Sequence, residues 1–155
     1  PKALYKEENG KEILGFNQAL LQNENESNDW LASIQAYNSY IIPQELERCF
    51  NKHFPNHKWK HHSSVFIESL LHQFKHQEAS KIYLSVQNNH FEIAVLEGRK
   101  LKFYNGYCYR SAEDLIYYLL FACEQLDLNP DQIPLVISAL SGSLASSLEV
   151  SHCRD

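Results

Sequence analysis

The run KIYLSVQNNHFEIAVLEGRKLKFYNGYCYRSAEDLIYYLLFACEQLDL, from Lys81 to Leu128, restricts the fold more than any other stretch of this chain. In Ile82 to Val86, side chains alternate: Ile82, Leu84 and Val86 share one side of an extended strand, and Tyr83 and Ser85 take the other. Asn88-Asn89 supplies a turn, because Asn tolerates positive φ better than most residues. A second strand, His90 to Leu96, turns Phe91, Ile93 and Val95 inward. Gly98, after Glu97, suits positive φ and closes a second turn. A third strand begins at Lys100 and runs to Asn105, with an extension as far as Tyr109. Ser111 followed three residues later by Asp114 has the spacing of a capping box. The helix it opens, Ala112 to Leu126, is apolar on nearly every side, which predicts cover on two sides. Beyond Pro130, Leu135 to Ser138 reads as a strand, most simply laid parallel to an earlier one.

Upstream, Ile13, Leu14, Phe16, Leu20 and Leu21 recur at helical spacing and predict a helix from about Lys11 to Gln22. The acidic segment Asn23 to Asp29 reads as a solvated loop. Ile34 to Ile42 is rich in β-branched and aromatic residues and reads as a strand ended by Pro43. Pro43 suits a helix start, with Glu45 and Glu47 near the positive helix end. That helix is expected to reach about Phe54, followed by a turn at Pro55-Asn56 and a short extended piece at His57 to His61. Ser63 or Ser64 can cap a further helix that buries Phe66, Ile67, Leu70, Leu71 and Phe74. The first part therefore reads as helix, strand-helix-strand, helix.

The chain has 155 residues, enough for one ordinary domain or two small subdomains. A 44% hydrophobic and 21% charged composition fits a packed protein. A net charge of −5 argues against a phosphate-binding nucleic-acid surface. No apolar run approaches the roughly 18 residues that span a bilayer. The absence of Met and the start at Pro1 lead us to expect a trimmed chain. Cys49, Cys108, Cys123 and Cys153 form no CxxC pair, which suggests reduced thiols and a cytoplasmic setting.

The order β-β-β-α-β opens a ribonuclease-H-like or actin-like subdomain built on a mixed α/β sheet. The segment FYNGYCYRSAEDLIYYLLFACEQLDLNPDQIPLVIS resembles the signature region of a bacterial family of unknown function found largely among Bacteroidota. YIIPQELERCFNKHFPNHKWKHHSSVFIESLL resembles the unit that precedes it. That family is similar in layout to the actin-like proteins of pilus assembly and cell division, in which two ribonuclease-H-like halves enclose a nucleotide. The resemblance implies that residues 1–78 end a first half and 79–155 begin a second. The run after Ser138, ALSGSLASSLEVSHCRD, departs from the family pattern.

Five constellations bear on chemistry. In actin-like ATPases, the first hairpin holds phosphate with an Asp at the strand end and a Gly beside it. Here the turn is Gln87-Asn88-Asn89, with neither residue, so a degenerate loop is expected. Ser141-Gly142-Ser143 is a small-residue loop of the kind that can approach phosphate. Two-metal nuclease chemistry needs acids on adjacent strands. IYLSV has none, Glu92 stands alone, and Glu113 and Asp114 suit a helix N-terminus. Six of the eight histidines lie between His53 and His76. His72 and His76 could share a metal on one uninterrupted helix, while the cluster as a whole reads as solvated or partner-facing. It would also gain charge below roughly pH 6.5. Finally, Tyr104, Tyr107, Tyr109, Tyr117 and Tyr118 near Lys100, Lys102 and Arg110 could stack on single-stranded nucleic acid. The acidic total favours core and interface packing instead.

The expected function is a non-catalytic actin-like scaffold or protein-interaction domain, with a protein partner or self-association and no cofactor. The alternative is an ATPase or sugar-kinase-like enzyme using ATP and Mg²⁺. Leu119→Asp should place an unpaired charge against the sheet and abolish the cooperative melt of the second half. A circular-dichroism transition close to wild type would show that the core is assigned wrongly.

Overall fold

A computed structural model describes residues 23–76, 78–139 and 146–149, the final four and residue 139 by their backbone alone. The helix expected at Lys11 to Gln22 and the Ser141-Gly142 loop lie outside the described residues. The chain divides into two compact units, Pro1–Leu70 and Leu71–Asp155.

In the first unit, strand β1 (Glu24–Leu31) pairs antiparallel with β2 (Ala36–Pro43). The acidic segment read as a loop is therefore a strand. It lacks β-branched residues, and its pairing comes from β2. Trp30 stands opposite Tyr37, with their rings 4.8 Å apart. Two buried residues, Asp29 and Leu31, alternate along it. Gln35 closes the hairpin with a φ of 52°. Helix α1 (Gln44–His53) follows directly, N-capped by Pro43, and none of its residues is buried. No strand forms at His57 to His61. Helix α2 (His62–Gln73) comes next and buries Ile67, Leu70 and Leu71. Its last three residues belong to the second unit. The observed order is thus a hairpin followed by two helices.

The second unit holds strands β3 (Ser80–Val86), β4 (His90–Glu97), β5 (Lys100–Cys108), β6 (Leu135–Ala139) and β7 (Ser146–Glu149), with helix α3 (Ala112–Gln125) between β5 and β6. The five-stranded sheet has the order β5-β4-β3-β6-β7. The meander is antiparallel, with Ile82 opposite Val95 and Phe91 opposite Tyr107. β6 runs parallel to β3, as the helical crossover requires. β7 pairs antiparallel with β6, so the described part of the run that departs from the family pattern after Ser138 adds an edge strand.

Ser111 caps α3 by accepting from the Asp114 backbone N–H. Gly98 has positive φ, 57°, as the second turn needs. Asn88 and Asn89 do not adopt positive φ, contrary to the sequence reading. Among the described residues, the non-glycines that do are Gln35 and Asp127.

The core gathers Ile82, Leu84, Phe91, Ile93 and Val95 beneath Ala122 and Cys123 of α3. Phe91 is fully buried and lies 5.5 Å from the Tyr107 ring, 5.7 Å from Tyr109 and 6.1 Å from Tyr118. Burying such a ring contributes on the order of 1.5–3 kcal/mol. The opposite face of the sheet is buried as well, through Tyr83, Ser85, Glu92, Ala94 and Leu96. Phe74 lies 4.7 Å from Tyr83 on that side. The outward side of α3 stays open, because Ile116, Tyr117, Leu120 and Phe121 are exposed. This corrects the expectation of cover on two sides. Among the described residues, Cys49 and Cys108 are exposed and Cys123 is buried, all as free thiols. Burial pushes the Cys123 thiol up.

The Tyr83 hydroxyl is enclosed without a hydrogen-bond partner, and burial pushes its phenol up to about 12. A raised phenol favours the neutral form in the folded state, so this contribution is intact below the unfolded value of about 10 and is lost as pH rises toward about 12. Tyr83→Phe should remove that alkaline loss. It should also keep or raise stability at neutral pH, by up to about 1 kcal/mol, because an unpaired buried hydroxyl disappears. Urea denaturation at neutral and alkaline pH reads both effects, and a destabilised phenylalanine variant would refute the assignment.

Candidate functional site

The turn between β3 and β4 carries Gln87-Asn88-Asn89, the stretch that the family resemblance singles out as a candidate phosphate loop. Asn88 and Asn89 are exposed, whereas Gln87 is half-buried. The Gln87 N–H donates to the His90 carbonyl at 2.8 Å, closing the hairpin on itself. Tyr109, just past β5, holds the turn from the side. Its hydroxyl donates to the Gln87 carbonyl at 2.6 Å, and its backbone N–H donates to the Asn89 carbonyl at 3.0 Å. The His90 ring lies over Gly106, whose missing side chain leaves the space; a Cβ there would come 2.8 Å from His90 Nε2. A phosphate cradle needs converging N–H donors, close backbone approach and an acid to place metal or water. This turn has no glycine and no acid, and the Gln87 N–H is already used. The residues of this turn by themselves do not form such a cradle for ATP with Mg²⁺.

Glu92 is the acid nearest this turn on the strands. It is buried, and it accepts a hydrogen bond from the Tyr104 hydroxyl. Ser85 stands opposite it on β3, so no second carboxylate joins it there. Glu113 and Asp114 serve the start of α3: the Asp114 carboxylate accepts from the Arg110 N–H at 2.9 Å, and a hydrogen bond with Ser111 pulls the Glu113 carboxyl down.

His72 and His76 do not share a helical turn. α2 closes at Gln73, and both histidines are exposed. Among the described residues, no group of three His, Cys, Asp or Glu side chains is placed to hold a metal ion.

The first unit contains a buried polar network that the sequence did not single out. Asp29 accepts from the Tyr40 hydroxyl at 3.2 Å and from the His61 backbone N–H at 2.8 Å. Burial pushes the Tyr40 phenol up, opposed by a hydrogen bond with Ser27 and reinforced by the Asp29 carboxylate. Asn38 Nδ2 lies 2.7 Å from Ser63 Oγ and 2.8 Å from Ser64 Oγ. His61, rather than either serine, serves the start of α2. Its carbonyl accepts from the Ser64 and Val65 N–H groups, and its Nδ1 lies 3.2 Å from the Ser63 nitrogen. The residue types invite comparison with a Ser-His-Asp triad, but Asp29 meets the backbone of His61 and not its ring, and both serine hydroxyls are buried. The network ties the hairpin to α2. Spacing along the chain could not reveal it, since its links from the hairpin to the start of α2 join residues 25 to 32 positions apart.

Nearby, Phe50, His53, Phe54, Pro55, Asn56 and His57 line an open hollow of about 550 Å³. Trp59 backs it, 5.0 Å from both the Phe50 and His57 rings. The sequence showed this region as a histidine cluster; the structure makes it an aromatic one edged by histidines.

With sheet order, helix placement and turn established, the chain can be placed. The fold is that of the actin-like ATPases. A crystal structure from Bacteroides thetaiotaomicron, of a protein with actin-like ATPase fold and unknown function, matches with a TM-score of 0.83 at 23% identity. The match covers 92% of this chain and 56% of that one, so the chain spans little more than half the length of that neighbour. The chain itself belongs to the family described as protein of unknown function (DUF3822), whose model matches residues 1–148. No curated protein matches it. None of the helices among the described residues is long and apolar enough to cross a membrane.

Tyr109→Phe should release the Gln87 carbonyl and cost about 1 kcal/mol. Amide exchange at Asn88 to His90 should accelerate while exchange in β4 stays slow. Unchanged protection in the turn would show that the tether carries no weight.

Proposed function

We propose that this chain is a non-catalytic, actin-like scaffold that acts through protein contact. The observation that carries the reading is the Gln87-Asn88-Asn89 turn, whose Gln87 N–H is spent within the hairpin and whose carbonyls are held by Tyr109. In this reading the second unit is a ribonuclease-H-like half that has kept the sheet of a nucleotide-binding protein and given up its phosphate turn. Residues 1–78 end the preceding half and residues 79–155 begin the next. The setting is cytoplasmic, and the contacts are with protein rather than nucleic acid. The exposed apolar side chains on α1 and α3 support a contact role, since apolar patches of this kind mark interaction sites.

A second reading draws support from the fold itself, which is named for ATPases. It makes the chain part of a nucleotide-dependent ATPase or sugar-kinase-like enzyme, with Gln87, Asn88, Asn89, Ser141 and Gly142 near the phosphates, ATP and Mg²⁺ as ligands, and His72 and His76 as accessory metal contacts.

Isothermal titration of the full chain with ATP and Mg²⁺ separates the two. The scaffold reading expects no heat of binding at micromolar protein. Saturable, Mg²⁺-dependent binding would overturn it.

A further inference from the structure

Among the described residues, each unit carries an exposed apolar face, and the segment at the first is net basic where α3 is acidic. On the first unit, Leu46, Phe50 and Phe54 are 44%, 36% and 60% exposed and border the aromatic hollow. From Gln44 to His62 the segment carries Arg48, Lys52, Lys58 and Lys60 against Glu45 and Glu47, with four histidines, and Lys60 pairs with Glu68. On the second unit, Ile116, Tyr117, Leu120 and Phe121 are 53%, 63%, 47% and 41% exposed. Their i, i+1, i+4 and i+5 spacing makes one stripe along α3, and Glu113 and Glu124 bracket it at the same helical phase. α3, AEDLIYYLLFACEQ, contains three acids and no basic residue. An apolar centre with a charged rim is the anatomy of a protein interface, and opposite rims set which faces meet.

We propose that the hollow beside α1 on one copy receives the outward stripe of α3 on a second copy. The inference rests on the protein-contact reading and names the partner as the chain itself. The mode is a helix laid into an aromatic groove, with Tyr117, Leu120 and Phe121 as anchors at i, i+3 and i+4. Lys52, Lys58 and the histidines flank the groove, opposite Glu113 and Glu124. Because the two surfaces differ, the contact is heterologous. Each copy offers one hollow and one helix, so association closes a ring or continues as a chain. This arrangement also gives Lys52, Lys58 and the neighbouring histidines a role as the polar border of a docking surface.

Sedimentation velocity of the full chain over a range of concentrations tests the proposal. The mean mass should rise with concentration and fall between about 0.05 M and about 0.5 M salt, as the rim charges are screened. Phe54→Glu and Leu120→Lys should each weaken association about tenfold or more. Both sites are solvent-exposed, so both variants should melt like wild type; Phe54→Ser and Leu120→Gln replace any that do not. An equimolar mixture of the two variants is the decisive arm. One copy keeps its helix stripe and the other its hollow, so the mixture should form a one-to-one dimer and nothing larger. A wild-type chain that stays monomeric at every concentration would overturn the inference. So would a Phe54→Glu chain that associates like wild type, the signature of α3 packing on α3, although the contact reading would then stand. Mg²⁺-dependent ATP binding is measured separately, and it alone removes the contact reading.

Discussion

The second unit depends on β4 being dry on both faces. Phe91 to Leu96 are six consecutive buried residues in the middle of the meander. A strand of this kind reads as a nearly continuous apolar run and is stable only when both sides of its sheet are covered. On one side, Phe91 anchors the cover. Its ring meets Tyr107 and Tyr109 at the end of the meander and Tyr118 from α3, and Tyr107 and Tyr118 stack 4.4 Å apart. On the other side, burial reaches Glu92, which survives there because the Tyr104 hydroxyl on the neighbouring strand meets it. The turn geometry is a consequence of the same packing. The Tyr109 ring is held by Phe91 and its hydroxyl holds Gln87, so the turn is fixed by the core beneath it.

The meander, the Ser111 cap and the parallel return of β6 were legible because each has a local cause. Alternation sets the strands, one hydroxyl sets the cap, and a helical crossover sets the direction of the last pairing. What could not be read is whatever a distant partner specifies. Glu24 to Asp29 resembles a solvated loop until Tyr40 and Ile42 of β2 stand opposite it. Ser63 and Ser64 resemble caps until Asn38 engages both hydroxyls and His61 takes the capping role. The open side of α3 was misjudged for a related reason. An all-round apolar pattern says that burial is favourable on every side, and it does not say what supplies it.

Much the same division applies to the site. The lack of acid and glycine at Gln87-Asn88-Asn89 was plain in the sequence. The positive φ expected of the asparagines was not found, and the tether from Tyr109 was invisible, because it joins residues 22 positions apart. The sequence also counted histidines between His53 and His76 as a metal question. In space, His57 packs with Phe50 and Trp59, and the chemistry there is that of aromatic surface bordered by cations.

Cysteine placement gives this chain a built-in reporter of its own breathing. Cys123 lies between α3 and the sheet, with its thiol pushed up by burial, while Cys49 on α1 and Cys108 at the end of β5 face solvent. Thiolate, the reactive form, is therefore suppressed at Cys123 for as long as α3 stays seated. Alkylation of the outer thiols, Cys49 and Cys108 among them, sets the baseline, and the lag at Cys123 times the lifting of α3 from the sheet. The motion of one helix is thereby converted into a chemical rate, with no label added to the protein.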